Sequence, residues 1–147
     1  MVLILAMWVA LLGMGIVVPL MPLFATSMGA TGVWLGLMAA AFSISRTVFQ
    51  PLVGNFSDRY GRKRFLVVGL GSYSAIGFAY VITGNIYELT FLRFLHGIGS
   101  AMVIPIVMAY IGDLSPDGEE GSYMGILNIA LFLGIGSGPI MGGFIND

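Results

Sequence analysis

From Met1 to Ser45 the chain contains no Asp, Glu, Lys or Arg. Soluble domains carry a charge at about one residue in four, so a run of this length is incompatible with an ordinary water-facing surface. Further charge-free runs follow at Thr47–Ser57, Phe65–Tyr87, Phe94–Gly112 and Gly121–Asn146. Crossing a hydrocarbon core ~30 Å thick takes about 20 apolar residues of helix, each rising ~1.5 Å. The first run is long enough for two crossings, because residues 26–32 (TSMGATG) are small, polar and glycine-bearing and supply a turn. Composition agrees, with 58% of residues hydrophobic and only 9% charged. The expected architecture is all-α, a polytopic helical membrane protein with five spans at about 3–25, 33–53, 64–83, 89–111 and 122–144.

The same inventory excludes several function classes. There is no cysteine, hence no disulfide framework, thiolate metal site or cysteine nucleophile. A single histidine, His96, does not make a His-rich zinc site. A formal charge of −1 offers no basic face for nucleic acid. The first span is not expected to be a signal peptide, since no basic residue precedes it in this sequence and its apolar stretch exceeds a signal core. The ten methionines follow no ligand pattern and read as lipid or core packing. An integral membrane protein in contact with lipid remains.

Orientation follows from the basic residues of the short loops. Arg59, Arg62, Lys63 and Arg64 all fall between spans 2 and 3, whereas residues 26–32 and 84–87 contain no Lys or Arg. The 2–3 connection is therefore expected in the cytoplasm, with the N-terminus inside and the C-terminus outside. The connection at 112–121 then also faces the cytoplasm. It is acidic (Asp113, Asp117, Glu119, Glu120), and acids carry little weight in the rule. Pro19, Pro22, Pro105 and Pro139 lie in or near spans, where neighbouring helices accommodate them. Trp34, Tyr87 and Tyr123 fall near span ends, either as interfacial anchors or as packing within the bundle.

Residues 54–64 read GNFSDRYGRKR, with Gly54, Asp58, Arg59, Gly61, Arg62, Lys63 and Arg64 at the constrained positions of G-x-x-x-D-[RK]-x-G-[RK]-[RK]-[RK]. Gly54 would allow close approach of a neighbouring helix, Gly61 a tight turn, and Asp58 an ion pair with a guanidinium. A plain basic anchor explains the four cations but not the acid and two glycines at fixed offsets. The stretch resembles the loop between helices 2 and 3 of the major facilitator superfamily. That resemblance implies a cytoplasmic gate, and it assigns Asp113 as acidic partner of a loop arginine such as Arg62. One departure stands in the 4–5 connection: Glu120 occupies the place where a basic residue often precedes the glycine, here Gly121.

Span 5 carries Gly125, Gly134, Gly138, Pro139, Gly142 and Gly143, matching G-x8-G-x3-G-P-x2-G-G. Gly134, Gly138 and Gly142 recur every fourth residue and make one smooth face for a neighbouring backbone. The pattern is similar to that of the antiporter branches of the superfamily, in which the proline-bent helix implies a role in access. Residues 13–22 of span 1, GMGIVVPLMP, are also similar to drug–proton antiporters, less specifically.

In span 4, Arg93, His96, Gly97 and Gly99 are similar to the family segment R-x-x-Q-G-x-G, with His96 in place of the usual Gln. An arginine at membrane depth faces a polar cavity or a partner, or it snorkels to the headgroups. The resemblance implies a part for Arg93 in proton transfer or substrate charge. His96 either relays a proton or, as is commoner, hydrogen-bonds a neighbouring helix. Arg46, ~12 Å of helix from Gly54, either faces the central cavity or snorkels inward.

The resemblance runs the length of the chain. It implies a secondary transporter of small organic solutes, a proton-coupled exporter of the drug antiporter type in the plasma membrane. Substrate would sit between two six-helix halves. The chain supplies five helices of one half, so a fragment inactive without the C-terminal half is expected. No phosphate-binding loop is present, no cofactor is implied, and protons are the expected coupling partner. A symporter for uptake and a non-transporting five-span scaffold are the alternatives.

Overall fold

In the computed structural model the backbone is described for residues 2–146, and side chains for 5, 7–138 and 140. It consists of α1 (Val2–Ser27), α2 (Gly32–Tyr60), α3 (Arg62–Ile82), α4 (Ile86–Leu114) and α5 (Glu120–Asn146). All five are long and apolar enough to cross a membrane. Large apolar side chains face outward along them, among them Phe78, Val81, Ile82 and Phe132. Water would not tolerate so much exposed apolar surface, and lipid does. The chain is an all-α integral membrane protein.

Each turn has a local cause. Gly29, at φ 84°, lets Ala30 N–H reach Ala25 O at 3.0 Å and Gly29 N–H reach Thr26 O at 2.9 Å, closing α1. This paired bonding is a common way to satisfy the last carbonyls of a helix. Gly61 alone separates α2 from α3, with φ 97° and its N–H on Ser57 O. Asn85 starts α4: its Oδ1 accepts the N–H of Glu88 at 2.9 Å, and Glu88 Oε2 accepts the N–H of Gly84 at 3.3 Å. Gly118, at φ 86°, turns the chain into α5.

Two of the expected boundaries move for these reasons. Span 2 is expected to end at 53, yet α2 runs on to Tyr60, because polar side chains do not stop a helix and Gly61 is the first residue that does. Most of the motif at 54–64 is therefore helical rather than loop. Span 4 is expected to begin at 89, and the Asn85–Glu88 cap brings the start forward to Ile86. Pro51, which the sequence reading passes over, lies inside α2 without ending it.

The chain divides into two compact units. One comprises Met1–Leu23 and Val107–Asp147, the other Phe24–Ile106. In the first, Met7, Leu11 and Met21 of α1 are buried, as are Ile111 of α4 and Leu127, Ala130 and Leu131 of α5. In the second, one face of α3 carries Leu66, Gly69, Ile76 and Tyr80 inward, spaced three, seven and four apart. Leu89, His96 and Val103 of α4 repeat every seventh residue and are buried in the same unit.

Candidate functional site

Within the unit formed by Phe24–Ile106, α4 is wedged between α2 and α3 by its two motif glycines. Gly97 lies against Phe42 O and Ser45 Oγ of α2, leaving no room for a methyl group. Ser45 turns its hydroxyl back on Phe42 O at 3.0 Å, which keeps that surface flat. Gly99 faces α3, where an added Cβ would stand 2.6 Å from Ser72 Oγ and 3.3 Å from the Tyr73 ring. Further along, Gly69 of α3 returns the contact, since a Cβ there would meet Met102 Cβ at 2.8 Å. Small residues in both directions let the backbones close together, as is usual where lipid gives helices no hydrophobic reason to associate.

This close packing gathers polar groups. His96 is buried between Phe42 of α2 and Tyr73 and Tyr80 of α3, with ring centroids at 5.5, 4.9 and 6.0 Å. The Tyr80 hydroxyl and His96 Nδ1 are 3.1 Å apart. Arg93, one turn before His96, lies half-buried with its guanidinium carbon 5.9 Å from the centre of the Tyr80 ring. Arg46 of α2 is also half-buried and acts electrostatically on Tyr73. Ser100 is fully buried. Its Oγ and the Tyr73 Oη have no hydrogen-bond partner of ordinary geometry, although the two are near enough to interact. Buried hydroxyls left in this state mark a polar interior and not a filled apolar core.

The structure therefore brings Arg93 and His96 into one cluster, with Arg46 acting on it through Tyr73. His96 thus stands within hydrogen-bond distance of a tyrosine on the neighbouring helix. Sequence reasoning missed Tyr73 and Tyr80. Their spacing of seven places them on the same inward face of α3 as Gly69 and Ile76, which is the signal that identifies them.

The motif at 54–64 is arranged around Gly61. Arg62 Nη2 pairs with Asp58 Oδ1 at 3.1 Å, across the single-residue break. Arg59, Lys63 and Arg64 are exposed. Gly54 departs from expectation: among the described residues, nothing stands within 4 Å of the place its Cβ would occupy. It is an open position on a helix that continues for another turn and a half. Asp113 sits exposed in the last turn of α4.

In the other unit, α5 crosses α1 at glycines. Gly138 rests on the backbone of Gly15 and Ile16, again with no space for a methyl group. A Cβ on Gly15 would stand 2.8 Å from Ile135 O, and one on Gly134 would stand 3.0 Å from Trp8 O. Gly125 is different, having nothing within 4 Å. Pro139, Gly142 and Gly143 lie outside the residues with described side chains.

Similarity to known proteins matches these features. Over 137 residues, 93% of this chain and 36% of the relative, it is 39% identical to an uncharacterized MFS-type transporter of Methanocaldococcus jannaschii. It is 35% identical to multidrug resistance protein 2 of Bacillus subtilis, over 94% of this chain and 34% of that protein. With the quinolone resistance protein NorA of Staphylococcus aureus it shares 32% identity, over 92% and 35% of the two lengths. The chain thus spans about a third of the length of the curated relatives it matches. The family model described as Major Facilitator Superfamily matches residues 3–147. On that match, and on the five apolar helices that carry it, the chain belongs to the major facilitator superfamily.

Proposed function

We propose that this chain forms the first five helices of a proton-coupled secondary transporter that exports small organic molecules by alternating access. The observation that carries this reading is Arg93, a cation half-buried among the aromatic rings of an otherwise apolar helix bundle. Such a charge is costly at membrane depth and is retained for a task. The names of two relatives, a multidrug resistance protein and a quinolone resistance protein, support export of organic compounds over uptake.

In this reading Arg93 and Arg46 face the transport path and favour anionic or electron-rich groups there. The motif from Gly54 to Arg64 forms a cytoplasmic gate with Asp58 and Arg62 at its centre, and Asp113 joins it on the strength of the motif alone. The basic residues around Gly61 support a cytoplasmic position for that end of α2 and α3, in a protein of the plasma membrane. The α1–α5 glycine crossing supplies a smooth contact that changes angle during the cycle. A sixth helix and a second six-helix half, together accounting for the remaining length of the relatives, complete the substrate site.

The test uses everted membrane vesicles containing the complete transporter. They are expected to accumulate a fluorescent organic dye when the lumen is acidified, and Arg93→Ala is expected to abolish accumulation at unchanged protein level. Dye uptake indifferent to the pH gradient would refute proton coupling, and full activity of the variant would remove Arg93 from the mechanism.

A further inference from the structure

His96 is the only histidine in the chain, and its ring is enclosed by aromatic side chains from two helices. The polar groups around it are Tyr73 and Tyr80 from α3 and Arg93 from its own helix; Phe42 is its neighbour on α2, with Arg46 beyond Tyr73. No acid is among them. Glu88, the nearest in sequence, is exposed at the start of α4, about eight residues and ~12 Å of helix away. Among the described residues, nothing in this cage offers a counter-charge to an imidazolium.

The hydrogen bond admits two arrangements, because a tyrosine hydroxyl both donates and accepts. In the one taken here Tyr80 donates to an unprotonated Nδ1, and the proton of the neutral imidazole sits on Nε2. The same tyrosine ring carries Arg93 above its face. A ring anchored at its hydroxyl keeps its face in a fixed direction, and a guanidinium attracted to that face is held with it. The chain of contacts runs from His96 through Tyr80 to Arg93, and each link joins α4 to α3.

We propose that His96 is a neutral acceptor, not a proton carrier, and that it and Tyr80 are positioning residues that hold Arg93 within the helix cluster. The place of Arg93 in transport rests on the function proposed above; the state of His96 and its bond to Tyr80 do not.

Because the histidine is unique, nitrogen-15 labelling of histidine gives one pair of ring signals. In lipid nanodiscs the chain is expected to show an unprotonated Nδ1 and a protonated Nε2, unchanged between about pH 5 and pH 8. Tyr80→Phe is expected to shift the Nδ1 signal and leave Nε2 protonated. A ring that gains a proton within that range, or an Nδ1 signal indifferent to Tyr80→Phe, overturns the proposal.

In the complete transporter, His96→Leu is expected to reduce pH-driven flux about tenfold, the effect of one lost buried hydrogen bond. His96→Gln, whose carbonyl also accepts from Tyr80, is expected to recover most of that loss. If His96→Gln is as inactive as His96→Leu, accepting a hydrogen bond is not what the histidine contributes and the proposal fails. If Arg93→Ala transports normally, the transport reading fails instead, while the nitrogen signals still decide the lock.

Discussion

Glycines that share one sequence pattern do different work here. Gly134 and Gly138 press α5 against the backbone of α1, whereas Gly125, nine residues before Gly134 and part of the same motif, faces open space. The same substitution should therefore have opposite signs. Gly138→Ala is expected to destabilise the chain by about 1–3 kcal/mol, because a methyl group has nowhere to go between two backbones. Gly125→Ala is expected to be neutral or to stabilise by up to about 1 kcal/mol, the helix preference of alanine over glycine. Thermal unfolding midpoints of the two variants in detergent read the difference directly. The close approach itself was legible in the spacing of Gly134 and Gly138, since every fourth residue shares a face. The partner Gly15 was not, because a single helix pattern does not say which neighbour it meets. Tyr73 and Tyr80 were hidden for another reason: in an apolar run an aromatic reads as packing, and only the facing residues His96 and Arg93 reveal its polar use.

At the scale of the helices, length and apolarity were sufficient to count the elements and insufficient to end them. A charge-free run marks where a helix can lie in lipid, whereas its ends are set by hydrogen bonds at the caps. Hence α2 continues through Ser57, Asp58 and Arg59 until Gly61 adopts a backbone angle open mainly to glycine. The start of α4 depends on two bonds, Glu88 N–H to Asn85 Oδ1 and Gly84 N–H to Glu88 Oε2. Asn85→Ala is expected to cost about 0.5–2 kcal/mol. In hydrogen exchange it should show as faster exchange of the amides of Glu88 and Leu89, with the amides near Val103 unaffected. Equal protection of Glu88 and Leu89 in both proteins would show that the cap contributes nothing. The Asp58–Arg62 pair belongs to a different class. With Asp58 59% exposed, a pair spaced four residues apart stabilises by only a few tenths of a kcal/mol. Its presence therefore calls for a role other than holding two helices together.

For the molecule as a whole, family membership and five membrane helices are firm, and the direction in which those helices are threaded becomes an experiment. The chain has no cysteine, so any introduced thiol is unique. Thr31→Cys and Gly84→Cys, both at exposed or partly exposed turns of one end, are expected to react with an impermeant maleimide added outside intact cells. Lys63→Cys and Asp117→Cys are expected to react only after permeabilisation. The reverse pattern would invert the topology drawn from Arg59, Arg62, Lys63 and Arg64. The packing of Trp34 on Tyr87, edge-on at 5.0 Å, joins the first turns of α2 and α4 and is consistent with those two ends lying on the same side.

The one-residue link at Gly61 also has a consequence for how the protein is made. With α2 and α3 separated by a single residue, their joined ends cannot part during insertion. The pair is expected to enter lipid as a hairpin, and in the topology proposed above the cations at the bend act once for both helices, as a single anchor.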